Sequence, residues 1–548
     1  MIDISKTGTS ELTWNESTTV ELRDGRIKGQ VADGIYSWLG IPFARPPVGD
    51  LRWKAPRDPE PWEDTCLADT MPEPAFQKNL YTDVPEYLGS EDCLYLNVFR
   101  PASQEVDLPV YFWIHGGGNY TGGAFRVSGK ELAEKLNAVV VITQYRLSWF
   151  GFFSHDVVRA RAQTPEDASG NYGLLDLIKA LQWVKNNISG FGGNPSLVTV
   201  AGHSAGARNI SLLLGAEAVK QEHLFQRAIH HSGAGVGIRS WTFEEAEPIS
   251  ERAVKAMIKN GLGDQACLSV EEKRDYLCSV SAEIIAMTHH PHEVGTYITT
   301  VDGTVFKKDI GEQLHEGSHY KVPVMVGTTK DEFGSYLATF PEYYPLTKAL
   351  IDGDTNFEVP PKQRLYYSTI QSKKSMMWRA KASDEFAQLL SQHQDHVYDF
   401  RFNWDGDDGS LFQLIYGACH GLDVVFFHGH PDDSVYPQYS QVAATRAGRL
   451  AISEAIMDYQ KAFIRSGDPG NGWSKCQPVT WQSWSKRPGE AKGINLDADA
   501  LQAVISMDTD MLTMKKVYME IEAIDDIQLR EAVLQVVEQP GHEHSYPD

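Results

Sequence analysis

Leu197-Val198-Thr199-Val200-Ala201-Gly202-His203-Ser204-Ala205-Gly206-Ala207-Arg208-Asn209-Ile210-Ser211-Leu212-Leu213-Leu214 decides how this chain is read. Its first five residues are a β-branched run suited to a buried parallel strand, and Ala207 to Leu214 read as a helix. Between them stands G-x-S-x-G. A serine on such a strand-to-helix turn is a nucleophile elbow: the small residues around it permit a strained backbone that lifts Oγ clear of the sheet. Ser204 is therefore the candidate nucleophile, with His203 directly before it.

Upstream, the apolar strand Pro109-Val110-Tyr111-Phe112-Trp113-Ile114 runs into His115-Gly116-Gly117-Gly118. Consecutive glycines let backbone N–H groups approach a ligand closely, and such a loop is suited to donating to a developing oxyanion. Val139 to Thr143 and Lys321 to Gly327 read as further buried strands, while Leu174, Leu177, Ile178, Leu181 and Val184 carry helical spacing. Strands alternating with helices predict an α/β fold: a large, mostly parallel central sheet with helices on both faces. Reactive groups in such sheets gather at the carboxyl ends of the strands, where Ser204 and the glycine loop both fall.

At 548 residues the chain is long enough for several domains, but no repeat or long low-complexity linker interrupts it. About 335–415, rich in aromatics such as Phe340, Tyr343, Tyr344, Tyr366, Tyr367 and Trp378, reads as helical cap-like material rather than sheet. From 511 to 548 an acidic helical segment leads into a tail. The formal charge of -23 argues against nucleic acid and anionic membrane surfaces as partners. No apolar run approaches the ~18–20 residues that span a bilayer, and Met1 to Lys6 lacks the features of a signal peptide. None of the six cysteines has C-x-x-C spacing, so neither a zinc nor a redox site is expected. With no nucleotide or metal motif, no cofactor is expected.

Ser90-Glu91-Asp92-Cys93-Leu94-Tyr95-Leu96-Asn97-Val98 resembles a signature of the type-B carboxylesterase/cholinesterase family. Gly40-Ile41-Pro42-Phe43-Ala44 with Pro46-Pro47-Val48-Gly49, Ser169 to Asp176, and Phe191-Gly192-Gly193-Asn194-Pro195 are similar to its other motifs, in order over roughly residues 18–485. The resemblance implies an α/β-hydrolase fold in a single domain over 1–548, and hydrolysis of a small ester by a Ser-Glu-His triad without cofactor. Lys330-Asp331-Glu332-Phe333-Gly334-Ser335 matches the acid motif at Glu332, with an extra Phe333 and with Asp331 as competitor. Gly417-Ala418-Cys419-His420 matches the histidine motif at His420, with His428 and His430 as alternatives, and Asp423 stands where relatives usually carry Glu.

The same resemblance maps oxyanion donors to Gly117, Gly118 and Ala205, a supporting hydrogen bond to Ser232, and a structural ion pair to Arg52 and Glu91. It also implies disulfides Cys66–Cys93 and Cys267–Cys278, leaving Cys419 and Cys476 unpaired. Paired cysteines favour a secreted or periplasmic protein, with a cytoplasmic one as the alternative. Sequons at Asn15, Asn119, Asn187 and Asn209 do not decide between them. Choline-specific members carry a Trp in the first disulfide loop and Glu before the nucleophile. Here the loop offers Phe76, Tyr81 and Tyr87, and His203 replaces the Glu, so uncharged short- to medium-chain esters are the expected substrates. Trp149 is read as a core residue. A lipase and a non-catalytic adhesion homologue are the rival readings.

Overall fold

The structure, a computed structural model, describes residues 18–79, 86–233, 235–263, 268–288, 298–354, 357–406, 409–432, 442–470, 493–508 and 510–538. It divides into two compact units. One comprises residues up to 228 together with 238–321, and the other residues 229–237 together with 322 onward.

In the first unit a sheet forms from β1 (Gln30–Ala32), β2 (Ile35–Pro42), β3 (Tyr95–Pro101), β4 (Leu108–Ile114), β5 (Val139–Thr143) and β6 (Gly193–His203), in the order β6-β4-β5-β3-β2-β1. β4 pairs in parallel with both β5 and β6, whereas β5, β3, β2 and β1 follow one another antiparallel. Every residue of β4 and β5 is buried. Strands without an exposed face must be covered on both sides, which explains their continuous apolar runs. The helices α1 (Tyr172–Asn187) and α2 (Ala205–Gly215) pack in this unit. α1 buries Leu174, Leu177, Ile178, Leu181 and Val184, the helical stripe read from the sequence.

The second unit takes the last residues of β7 (Arg227–His231) and adds β8 (Val324–Thr329), β9 (Val397–Phe402), β10 (Gly493–Ala498) and β11 (Ala503–Asp508). β8, β9 and β10 are parallel neighbours, and β11 closes the edge antiparallel. Helix α3 (Pro361–Arg379) packs against α4 (Met514–Glu522) and α5 (Ile527–Val537) around Phe333, Leu337, Tyr367, Ile521 and Val533.

β9 lies inside the stretch read as helical cap, so 397–402 belongs to the sheet. The strand was hidden because Asp399 and Arg401 interrupt its apolar pattern, and Asp399 is buried with specific neighbours. Ser383 Oγ donates to Asp399 Oδ1, and Asp384, held by Arg379 Nε at 3.1 Å, lies against it. Burial and the Asp384 charge raise the Asp399 carboxyl well above its ordinary value. A carboxyl whose pKa is raised on folding contributes stability that is complete below about pH 4 and is lost as pH rises through the folded value. Asp399→Asn, which stays neutral, should therefore flatten the loss of thermal stability toward alkaline pH. Melting curves of the two proteins from pH 4 to 9 check this; parallel curves would count against it.

The expected Cys66–Cys93 disulfide is not formed. Cys66 lies exposed on a short strand beside Ile27, whereas Cys93 is 1% exposed, and both are thiols. Burial also raises the Cys93 thiol well above its usual value, keeping it protonated and unreactive. Cys278 is a thiol with Sγ 3.0 Å from the Arg274 carbonyl, and Cys267 and Cys476 lie outside the described residues. The argument for export from paired cysteines thus loses its premise at Cys66 and Cys93. Among the described residues no helix is long and apolar enough to cross a membrane, and no cluster of His, Cys, Asp or Glu is placed to hold a metal ion.

Candidate active site

In the first unit, β4 and β6 end side by side, Gly202 opposite Ile114, so the glycine loop and the serine turn leave the sheet together. Ser204 has φ 57° and ψ -123°, a backbone conformation that costs a non-glycine residue about 1–3 kcal/mol and must be held by its surroundings. Its neighbours are small because the chain passes too close for anything else. A Cβ at Gly206 would lie 2.1 Å from the Ile114 carbonyl oxygen, and one at Gly116 would lie 2.6 Å from that of His203. The glycine loop is thereby pressed onto the elbow.

Beyond it the loop turns back on itself. The Gly117 carbonyl accepts from Tyr120 N, Thr121 N and Thr121 Oγ1 at 3.1, 2.8 and 3.1 Å. The N–H groups of Gly117, Gly118 and Ala205 engage no acceptor among the described residues. The Ala205 amide opens α2, at the end of a helix where the dipole favours negative charge.

In the second unit, β8 leads into Lys330-Asp331-Glu332. Glu332 is fully buried and its carboxylate is saturated. Oε2 lies 2.6 Å from His420 Nδ1, while Oε1 accepts from Thr329 N at 2.8 Å and from Ser232 Oγ. Nδ1 therefore carries the proton and donates to Glu332, which leaves Nε2 as the basic nitrogen. Ser232, at φ 53°, follows β7, and its N–H is held by the Gly327 carbonyl at 2.8 Å.

Asp331 does something else. Its Oδ2 accepts from Ala418 N and its own N–H donates to the Ala418 carbonyl, both at 3.0 Å, so it clamps the backbone two residues before His420. The Phe333 insertion is absorbed by packing: the ring is fully buried in the core with Leu337 and Phe340, and its N–H donates to Ser375 Oγ at 3.0 Å.

The alternative histidines are placed elsewhere. His428 is fully buried, and burial beside His430 and His231 pushes its imidazole well below its ordinary value. Asp423 meets His231 Nδ1 at 2.9 Å rather than His420. Trp378 and Tyr336, stacked on each other, flank the His420 ring at 4.9 and 5.5 Å; sequence reasoning gave neither any place at this ring.

Other assigned residues fall back in the first unit. Arg52 grips Glu91 with two nitrogens and donates to the Val280 carbonyl at 2.7 Å, an arrangement with no chemistry to perform. Trp149 is 2% exposed and packs edge-on against Phe153. Asn119, Asn187 and Asn209 are all buried, which withholds three of the sequons from glycosylation in the folded chain.

The first unit holds a serine elbow and a glycine loop and the second a carboxylate-bound histidine, the parts that serine hydrolases of the α/β class use. The sequence profile of the carboxylesterase family matches residues 16–359. The chain is 32% identical to para-nitrobenzyl esterase of Bacillus subtilis over 484 residues, covering 85% of this chain and 92% of that one. It is 35% identical to a liver carboxylesterase of Sus scrofa over 534 residues, 87% and 90% of the two chains. A solved PNB esterase structure superposes with a TM-score of 0.71 at 27% identity, covering 92% of this chain and 99% of the other. The chain belongs to the carboxylesterase family and is, with it, a serine carboxylic-ester hydrolase of the α/β-hydrolase fold.

Proposed function

We propose that this protein hydrolyses uncharged carboxylic esters of short to medium acyl length through an acyl-enzyme on Ser204. His420 Nε2 takes the Ser204 proton as Oγ attacks the ester carbonyl, then passes it to the departing alcohol. Glu332 holds the imidazole in the tautomer with Nδ1–H and stabilises the imidazolium while remaining ionised. The Gly117, Gly118 and Ala205 amides receive the tetrahedral oxyanion, each worth about 3 kcal/mol in the transition state. Water then repeats the sequence and releases the acid. The reading is carried by one observation above all, the 2.6 Å bond between the buried Glu332 and His420, which supplies a base of fixed tautomer. Its test is labelling with a fluorophosphonate followed by peptide mass spectrometry. The adduct is expected on the peptide bearing Ser204, and an adduct on another serine with loss of activity would overturn the assignment.

For the substrate, the support is the aromatic content of the 66–93 segment and the residue before the nucleophile. A quaternary ammonium gains from an aromatic face and a neighbouring carboxylate. In the 66–93 segment Phe76 and Tyr87 stack on each other at 5.8 Å, Tyr81 lies outside the described residues, and His203 stands before the serine. A lost cation–π contact of about 0.5–2 kcal/mol together with a lost anion supplies the ~1.4 kcal/mol that tenfold discrimination requires. Neutral thioesters should therefore exceed acetylthiocholine by at least about tenfold in kcat/KM. Kinetics with acetylthiocholine and an uncharged thioester of equal size decide it, and equal turnover would refute the preference. A series of p-nitrophenyl esters from acetate to palmitate separates this reading from a lipase.

A further inference from the structure

Asn119 and Asn209 head two of the sequons, yet they are 1% and 0% exposed and face each other. Asn119 Nδ2 donates to Asn209 Oδ1 at 3.0 Å, and Asn209 Nδ2 donates to Asn119 Oδ1 at 2.9 Å, closing a ring of two amides. The Tyr145 hydroxyl sits against the same place, 2.9 Å from Asn119 Oδ1 and 3.0 Å from the His115 carbonyl. His115 stacks on the Tyr145 ring with centroids 4.6 Å apart. Burial pushes that imidazole down to about 4, so it is neutral and its Nδ1–H donates to the Gly116 carbonyl at 2.8 Å. Asn119 has φ 54°, which asparagine tolerates better than other side-chain-bearing residues, and its carbonyl accepts from Ser148 N at 2.6 Å.

This arrangement joins two stretches that must keep a fixed spacing. Asn119 directly follows Gly117 and Gly118, while Asn209 lies one turn into α2, whose first amide is that of Ala205. Inside a dry core each of these hydrogen bonds is expensive to leave unmade, so the ring resists being pulled open. Oxyanion donors act only when they lie about 2.7–3.1 Å from the position the charged oxygen will occupy. A loop that drifts by a fraction of an ångström from the helix loses that aim without losing its fold.

We propose that Asn119, Asn209 and Tyr145 are positioning residues, a clamp that holds the glycine-loop amides and the Ala205 amide at one separation for the oxyanion. The proposal rests on the assignment of those three amides made above.

The experiment compares Tyr145→Phe, Asn209→Leu, Asn119→Gly and the Asn119→Gly/Asn209→Leu double variant, with Ser204→Ala alongside. Fluorophosphonate labelling run to completion counts active sites, which removes any loss of folded protein. kcat per labelled site is expected to fall about 100-fold in Asn209→Leu and about tenfold in Tyr145→Phe, with KM within about threefold. The double variant should be no worse than Asn209→Leu, because the two amides act as one unit. Thionoesters offer sulfur, a weaker acceptor, to the same amides, so the preference for oxygen esters over thionoesters should narrow about tenfold in step with kcat.

A kcat per site within twofold of the parent, or a fall in kcat with an unchanged ester-to-thionoester ratio, overturns the clamp. Should the asparagine variants fail to fold, Tyr145→Phe, which removes one oxygen and opens no large cavity, decides alone. Activity in Ser204→Ala would overturn the oxyanion assignment and the clamp with it. An inactive Ser204→Ala beside unaffected clamp variants would overturn the clamp only.

Discussion

Replacing Ser204 by alanine is expected to lower kcat by about 10⁶-fold in a chain that keeps its fold. Alanine retains the Cβ that fits beside Gly116 and removes only Oγ, so the turn at φ 57° and the start of α2 have no reason to change. His420→Ala should be nearly as damaging, and the double variant no worse than either, because nucleophile and base act as one unit. Hydrolysis of p-nitrophenyl acetate, with circular dichroism to verify folding, measures all three. Near-parental turnover in folded Ser204→Ala would remove Ser204 from the mechanism. A lethal His428→Ala beside an active His420→Ala would reassign the base, contrary to the burial that keeps His428 neutral.

The second large effect separates two adjacent carboxylates. Glu332→Gln should reduce kcat by about 10⁴-fold, whereas Asp331→Asn should stay within about tenfold. A glutamine at 332 can direct its amide N–H at Nδ1 and so favour the opposite tautomer, placing the proton on Nε2 where a base is needed. Asparagine at 331 keeps an oxygen for the Ala418 N–H, the bond that the Asp331 side chain makes to the loop before His420. kcat for both variants at one pH decides the matter. A reversed ranking would mean that the clamp on Ala418, and not the contact with Nδ1, controls the imidazole.

The glycine loop and the serine turn were legible in the sequence because each is a short contiguous pattern. Gly202 and Gly117 answer to residues four places away, whereas Gly116 and Gly206 are glycines because the two turns press on each other, and the apolar runs of β4, β5 and β8 announce strands buried on both faces. Glu332 and His420 were different. No local periodicity distinguishes Glu332 from Asp331, or His420 from His428, and resemblance to a family had to select them.

What tertiary structure alone decided involves residues far apart in the chain, whose environment no neighbouring residue encodes. The carboxylate that faces the imidazole is set 88 residues away, across a bond between Glu332 and His420. Asp399 fits inside β9 because Ser383 donates to it and Asp384, held by Arg379, lies beside it. Cys66 and Cys93 match a disulfide of the family they resemble, but one thiol faces solvent and the other the core. Asn119 and Asn209 read as sequons and are instead a buried pair of amides, 90 residues apart. Sequence by itself determined where the backbone must turn tightly and where strands must be apolar. Burial and long-range pairing, which decide what a polar side chain does, belonged to the fold.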